Sequence, residues 1–198
     1  MDFEQTSVVA MKFFLLCVWM LLTSISIASD HSPRKDVSVK IQKLGNGFEV
    51  EVSYFTHMDL CNSFAFLTDY EDARNIPGIV ESNILSRSGN KVVVERKASE
   101  TILLFPLEIS STIEYTEIPY LGLNFEQIRG DSKIYRGTWR LEPKDGSTKL
   151  TYLSVIELDS VVPQMVQQYF VKNSIQKRFE FMASRARLKE QKNSSKCP

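Results

Sequence analysis

From Ile79 to Leu158 the chain reads as one apolar/polar alternation after another, broken at Ser88-Gly89-Asn90, near Pro119-Tyr120, at Gly130-Asp131 and at Asp145-Gly146. A period of two turns one face of each run toward a core and the other toward water. Five or six strands fit this stretch. The breaks are short enough for hairpins, so the strands are antiparallel. A sheet of that kind has an apolar face that another element must cover.

The C-terminal region supplies the cover. Pro163 opens a helix of about 25 residues, roughly 37 Å long, at a position where proline is tolerated. Met165, Tyr169, Val171, Ile175, Phe179, Met182 and Ala186 make its apolar stripe. Opposite them, Lys172, Gln176, Lys177, Glu180, Arg187 and Lys189 read as a solvated face, with the basic end suited to the helix dipole. Upstream, Val37, Val39 and Ile41 alternate up to a turn at Gly45-Asn46-Gly47, and Phe48, Val50, Val52 and Tyr54 alternate after it, predicting a hairpin or a bent strand pair. Thr56-His57-Met58-Asp59 has capping-box spacing, and Leu60, Phe64 and Leu67 recur at helical intervals. A further turn or two of helix from Glu71 to Asn75 ends at Ile76-Pro77-Gly78. The class is therefore α+β, with a curved antiparallel sheet wrapped around a long C-terminal helix and two short helices after the first strand region.

The N-terminal residues read as an address. Lys12, the apolar run Phe13 to Leu22, and Ser26 and Ala28 at the −3 and −1 positions describe a secretory signal peptide over residues 1–28. Met11 is an alternative start, and an uncleaved N-terminal anchor is the alternative reading. Residues 29–35 form a linker, 36–189 the folded domain and 190–198 a polar tail. Export, to a periplasm or outside the cell, would place Cys61 and Cys197 in an oxidising compartment where one disulfide between them is open. Lys+Arg and Asp+Glu are equal at 24 each, so no basic field recruits nucleic acid. Two histidines and three cysteines exclude a structural zinc module, and neither a metal nor a cofactor is expected. No phosphate-binding loop, dinucleotide fingerprint or nucleophile elbow occurs in the sequence.

Four segments in this order resemble the START-like, or SRPBCC, superfamily, in particular its polyketide cyclase/dehydrase and coenzyme Q-binding lipid-transport branch. Leu67-Thr68-Asp69-Tyr70-Glu71 followed by Ile76-Pro77-Gly78-Ile79-Val80-Glu81-Ser82 is similar to that family's passage from helix to strand. Arg129-Gly130-Asp131 resembles a turn between late strands. Gly137 to Pro143 with Gly146 to Tyr152 resembles the hairpin that follows, and Pro163 heads the terminal helix. The resemblance implies a helix-grip fold with an apolar cavity between sheet and helix, holding a lipid, quinone, sterol or polyketide. On that implication the ligand-contacting residues are Leu103, Phe105, Ile109, Ile113, Phe125, Tyr135, Trp139, Tyr152, Tyr169 and Phe179. Tyr135, Tyr152 and Tyr169 would orient a carbonyl or hydroxyl head. The alternating faces alone are more often the packing of a solid core than the wall of a pocket.

The residues offer little for catalysis. His57 has no evident Ser or Cys partner and reads as an exposed first-turn histidine. Asp69 reads as a cap or turn residue. Arg96, Glu108, Arg136 and Arg140 fall in predicted strands, as a charged pair near the cavity or as the sheet's outward face. The expected function is binding, shielding or transport of a small hydrophobic ligand by an exported monomer, with transient membrane or envelope-protein contact. A cyclase/dehydratase enzyme and a solid-core envelope interaction module are the alternatives. A buried ionisable group with a shifted pKa favours the enzyme, and a pocket below about 300 Å³ favours the module.

Overall fold

The computed structural model describes residues 37–102, 104–158 and 163–192. The predicted leader, the linker, Leu103 and Cys197 lie outside the described residues. Strands β1 (Val37–Leu44) and β2 (Gly47–Thr56) form the N-terminal hairpin, followed by helix α1 (Leu60–Leu67) and a 3-10 turn (Glu71–Asn75). Six strands then fill the long alternating region: β3 (Ile79–Ser88), β4 (Lys91–Ile102), β5 (Phe105–Ile118), β6 (Gly122–Gly130), β7 (Ser132–Lys144) and β8 (Ser147–Leu158). Helices α2 (Gln164–Tyr169) and α3 (Ile175–Lys192) close the chain.

All eight strands join one antiparallel sheet in the order β1-β2-β8-β7-β6-β5-β4-β3. The first hairpin adds to the last strand, with Phe48 opposite Ile156 and Thr56 opposite Thr148. Register shifts leave Val80 and Leu85 of β3, Ile128 of β6 and Lys133 of β7 without a partner in the ladder. Such extra residues increase local twist and let a large sheet curve. Val80, Leu85 and Ile128 are exposed because each bulge residue leaves the alternation. Along the concave face Val50, Val52, Val92, Val94, Ile113, Leu123 and Leu150 are fully buried. The terminal helix lies against β1 and β2, an approach permitted by its small buried residues Ala183 and Ala186.

Two local expectations are corrected. Asp59, not Thr56, caps α1: its carboxylate accepts from the Asn62 amide at 2.7 Å, while the Thr56 hydroxyl accepts from the Met58 amide at 2.9 Å. The terminal helix is not one uniform stripe, because a π turn at Phe170–Ser174 separates α2 from α3. A π turn holds more residues than an α turn and so rotates everything before it. The buried set becomes Val166, Gln167, Phe170 and Val171, and the predicted Met165 and Tyr169 are 71% and 43% exposed. Downstream of the turn the expected phase holds at Phe179 and Ala186. Cys61 is disulfide-bonded; its predicted pairing with Cys197 falls outside the described residues. Among the described residues no helix is long and apolar enough to cross a membrane.

Candidate ligand cavity

A cavity of about 200 Å³ lies between the concave face and the terminal helix. Alternation delivers the sheet wall: Ile109 and Ile113 from β5, Phe125 from β6, Tyr135 and Trp139 from β7, and Tyr152 from β8. Phe179 of α3 closes it from the helix side. These seven predicted residues are brought together. Tyr169 is not among them because the π turn rotates it outward. Phe105 lies at the start of β5, with its side chain outside the described set.

The wall is a ring cluster. Trp139 lies 5.0 Å from Tyr152 and 5.7 Å from Phe179, and Tyr152 lies 4.9 Å from Phe179, centroid to centroid. Phe125 stacks on Tyr152 at 5.6 Å with planes 9° apart. Gly137 makes that stack fit, since a Cβ there would stand 2.8 Å from Phe125 Cζ and 2.1 Å from the Leu153 carbonyl oxygen.

Polar groups share this face: Arg96, expected either near the cavity or on the outward face, and Ser111 and Ser154, which apolar parity passes over. Ser111 sits between Ile109 and Ile113, Ser154 between Tyr152 and Ile156, and Arg96 follows Val92 and Val94 on β4; all three line the cavity. A polar residue at an inward position of a strand is the signal that would have found the two serines. The Ser111 hydroxyl donates to Gln127 Oε1 at 2.9 Å, and Gln127 Nε2 donates to the Ser132 carbonyl at 2.7 Å. Arg96 Nε donates to Ser82 Oγ at 3.2 Å, and its guanidinium lies 5.8 Å from the Tyr115 ring centroid. Glu108, Arg136 and Arg140 are on the exposed face.

Burial pushes the Tyr115 phenol up to about 12, with Arg96 drawing it back down and Tyr135 adding to the rise. Burial, reinforced by Tyr135, holds Tyr152 well above its ordinary value of 10. Both phenols are therefore protonated donors at neutral pH.

The rim is charged. Arg185 lies 2.8 Å from Asp72, and Lys189 lies 3.1 Å from Asp69 and 3.5 Å from Asp72. Asp69 thus serves an ion pair across the rim rather than the cap predicted for it, and Lys189 leaves the purely solvated face. On the same rim and less exposed, Arg178 Nη2 lies 2.7 Å from Glu100 Oε1 and Arg178 Nε donates to the Pro77 carbonyl at 3.1 Å. Ser174, from the π turn, donates to the other Glu100 oxygen. Gly78, at φ +78°, leaves room for this knot, since a Cβ there would stand 2.0 Å from Glu100 Oε1. Burial works to raise the Asp72 pKa, but hydrogen bonds from Asn75 and Arg185 and the charges of Lys189 and Arg185 bring it below the usual carboxylate value. His57 is exposed and outside the cavity; its backbone amide donates to Glu190 Oε1 at 2.6 Å.

A family model described as polyketide cyclase / dehydrase and lipid transport matches residues 59–183. Solved structures with this fold include a STAR-related lipid transfer protein of Xanthomonas axonopodis, at TM-score 0.63 and 13% identity over 77% of this chain and 94% of that one. A protein of Thermus thermophilus gives TM-score 0.63 and 16% identity over 74% and 99%. The Zhui aromatase/cyclase of Streptomyces sp. R1128 gives 0.55 and 15% over 73% and 93%. At such identities the likeness is one of fold, the helix-grip arrangement. No curated protein sequence is significantly similar to the chain.

Proposed function

The chain belongs to the polyketide cyclase/dehydrase and lipid transport family, and from that premise we propose that it binds a small hydrophobic ligand in the sheet–helix cavity and shields it from water. The observation that carries this reading is the ring-lined cavity with a few convergent polar groups, the composition of a ligand pocket. Its volume of about 200 Å³ is below the range of roughly 300–1,000 Å³ usual for drug-sized ligands, and on size alone favours the solid-core interaction module. Arg96, Ser111 and Ser154 count the other way, because a core with no occupant gains nothing from polar side chains turned inward. The ligand is accordingly small, or enters only in part. Tyr115 and Tyr152 are buried ionisable groups with shifted pKa values, which favours the cyclase/dehydratase alternative; raised as they are, the phenols could donate a proton at neutral pH but not act as bases.

Entry requires the segment from Asp69 to Pro77 to part from the terminal helix, and the ion pairs across the rim are what such a lid would break. Hydrogen exchange as slow there as in the central strands would remove the lid from this account. Export is part of the proposal, supported by the leader pattern in residues 1–28 and by the disulfide-bonded state of Cys61. The intact mass of protein recovered from its native host would then correspond to a chain starting at Ser29. The main test is mass spectrometry of an organic extract of the purified protein, followed by titration with lipids, quinones and sterols. A stoichiometric extracted ligand that alters Trp139 emission supports the reading. An empty extract with flat titrations moves the assignment to the interaction module.

A further inference from the structure

Three arginines reach the cavity, and two of them answer to carboxylates: Arg178 to Glu100 at 2.7 Å and Arg185 to Asp72 at 2.8 Å. Arg96 has no carboxylate partner among the described residues. Its Nε donates to Ser82 Oγ at 3.2 Å and its guanidinium also hydrogen-bonds the Tyr115 side chain, which leaves part of its five-donor fork for a ligand. A guanidinium stays charged at any pH the fold survives, and a half-buried cation beside apolar space is stabilised by a counter-anion. The groups shown beside it are neutral: Ser82 Oγ accepts from it, the Tyr115 ring centroid lies 5.8 Å from it, and Ser111, whose hydroxyl donates to Gln127, stands opposite it in the β4–β5 register.

We propose that the ligand is an acid, a carboxylate on a small apolar body, with Arg96 holding the carboxylate and the rings of Phe125, Trp139 and Phe179 holding the body. The inference rests on the cavity-binding reading and narrows it. One guanidinium brings one charge, and its planar fork matches the two oxygens of a carboxylate. A phosphate would bring a second charge, and among the described residues no lysine lines the cavity to meet it. The volume of about 200 Å³, below the roughly 300–1,000 Å³ of pockets for drug-sized ligands, calls for a short apolar body.

Calorimetric titration of the full chain at neutral pH with octanoate and with 1-octanol tests this. Octanoate is expected to bind about tenfold more tightly than the alcohol. Arg96→Gln is expected to bring the two affinities together, and Arg96→Lys, which keeps the charge without the fork, to restore only part of the difference. Equal affinities in the unaltered protein would overturn the acid class and leave cavity binding standing. A preference for octanoate that survives Arg96→Gln would overturn the role of Arg96. Binding of neither probe, together with an empty extract, would overturn the cavity reading and the acid class with it.

Discussion

On the sheet side of the cavity Phe125, Trp139 and Tyr152 meet ring to ring at 5.0 to 5.6 Å, whereas at the rim Asp72 meets Arg185 and Lys189, and Glu100 meets Arg178. The first arrangement is held by burial, which is non-directional and responds little to salt or pH. The second is held by charges that water still reaches, and salt and protons weaken it. A cavity built this way would keep its wall while its rim opened, as the proposed reversible uptake of a ligand requires.

The comparison is broken most severely from the wall. Gly137→Val places a branched side chain against the Leu153 carbonyl and the Phe125 ring; a loss of about 3 kcal/mol is expected, read as a lower urea midpoint. Phe170→Ala comes next, since Phe170 is buried at the π turn with Arg178 5.2 Å from its ring centroid. It should cost about 2–3 kcal/mol. At the rim, Glu100→Gln leaves Arg178 without its anion, at side-chain exposures of 16% and 19% for the pair. The expected cost is about 1–2 kcal/mol, with faster hydrogen exchange at the Ser99 amide, which donates to the Gly78 carbonyl at 2.9 Å.

Acid should act on the rim before the wall. The Asp72 carboxyl binds its proton less readily folded than unfolded, so the stability it contributes is present above its ordinary pKa of 3.8 and is lost as pH falls below it. With the group part-exposed the effect amounts to a few tenths of a kcal/mol. Exchange rates around Asp72 and Lys189 should rise below pH 4 while the wall stays protected, and Asp72→Asn should flatten that dependence. The smallest expected effect is that of Tyr169→Ala, within about 0.5 kcal/mol. A loss as large as that of Phe170→Ala would refute the rotation attributed to the π turn.

Strand number, hairpin order and the terminal helix were legible because alternation and turn residues are local signals. Six cavity residues followed from strand parity once the fold was named, and Phe179 from the apolar stripe of the helix. Tyr169 failed for a reason that no local pattern carries: an α-period stripe from Ala186 back to Met165 looks continuous, and only the packing of Phe170 and Val171 against the sheet shows the extra residue. Ser111 and Ser154 stayed hidden because apolar parity passes over polar side chains at inward positions, whereas Arg96 stood out as a charge within a strand and only its side of the sheet was left open. The pairs Glu100–Arg178 and Asp72–Arg185 join residues far apart in the chain, and charge alone does not say which of many carboxylates meets which arginine.

The ladder between β2 and β8 also sets the order in which this chain can finish folding. Residues 48–56 pair with residues 148–156, so the first hairpin leaves the ribosome long before the strand it needs has been delivered. Until then Val50, Val52 and Tyr54 have no opposite face to bury against. Contacts so distant in sequence make closure slow, and the early hairpin is the segment most exposed to mispairing with other chains during that wait.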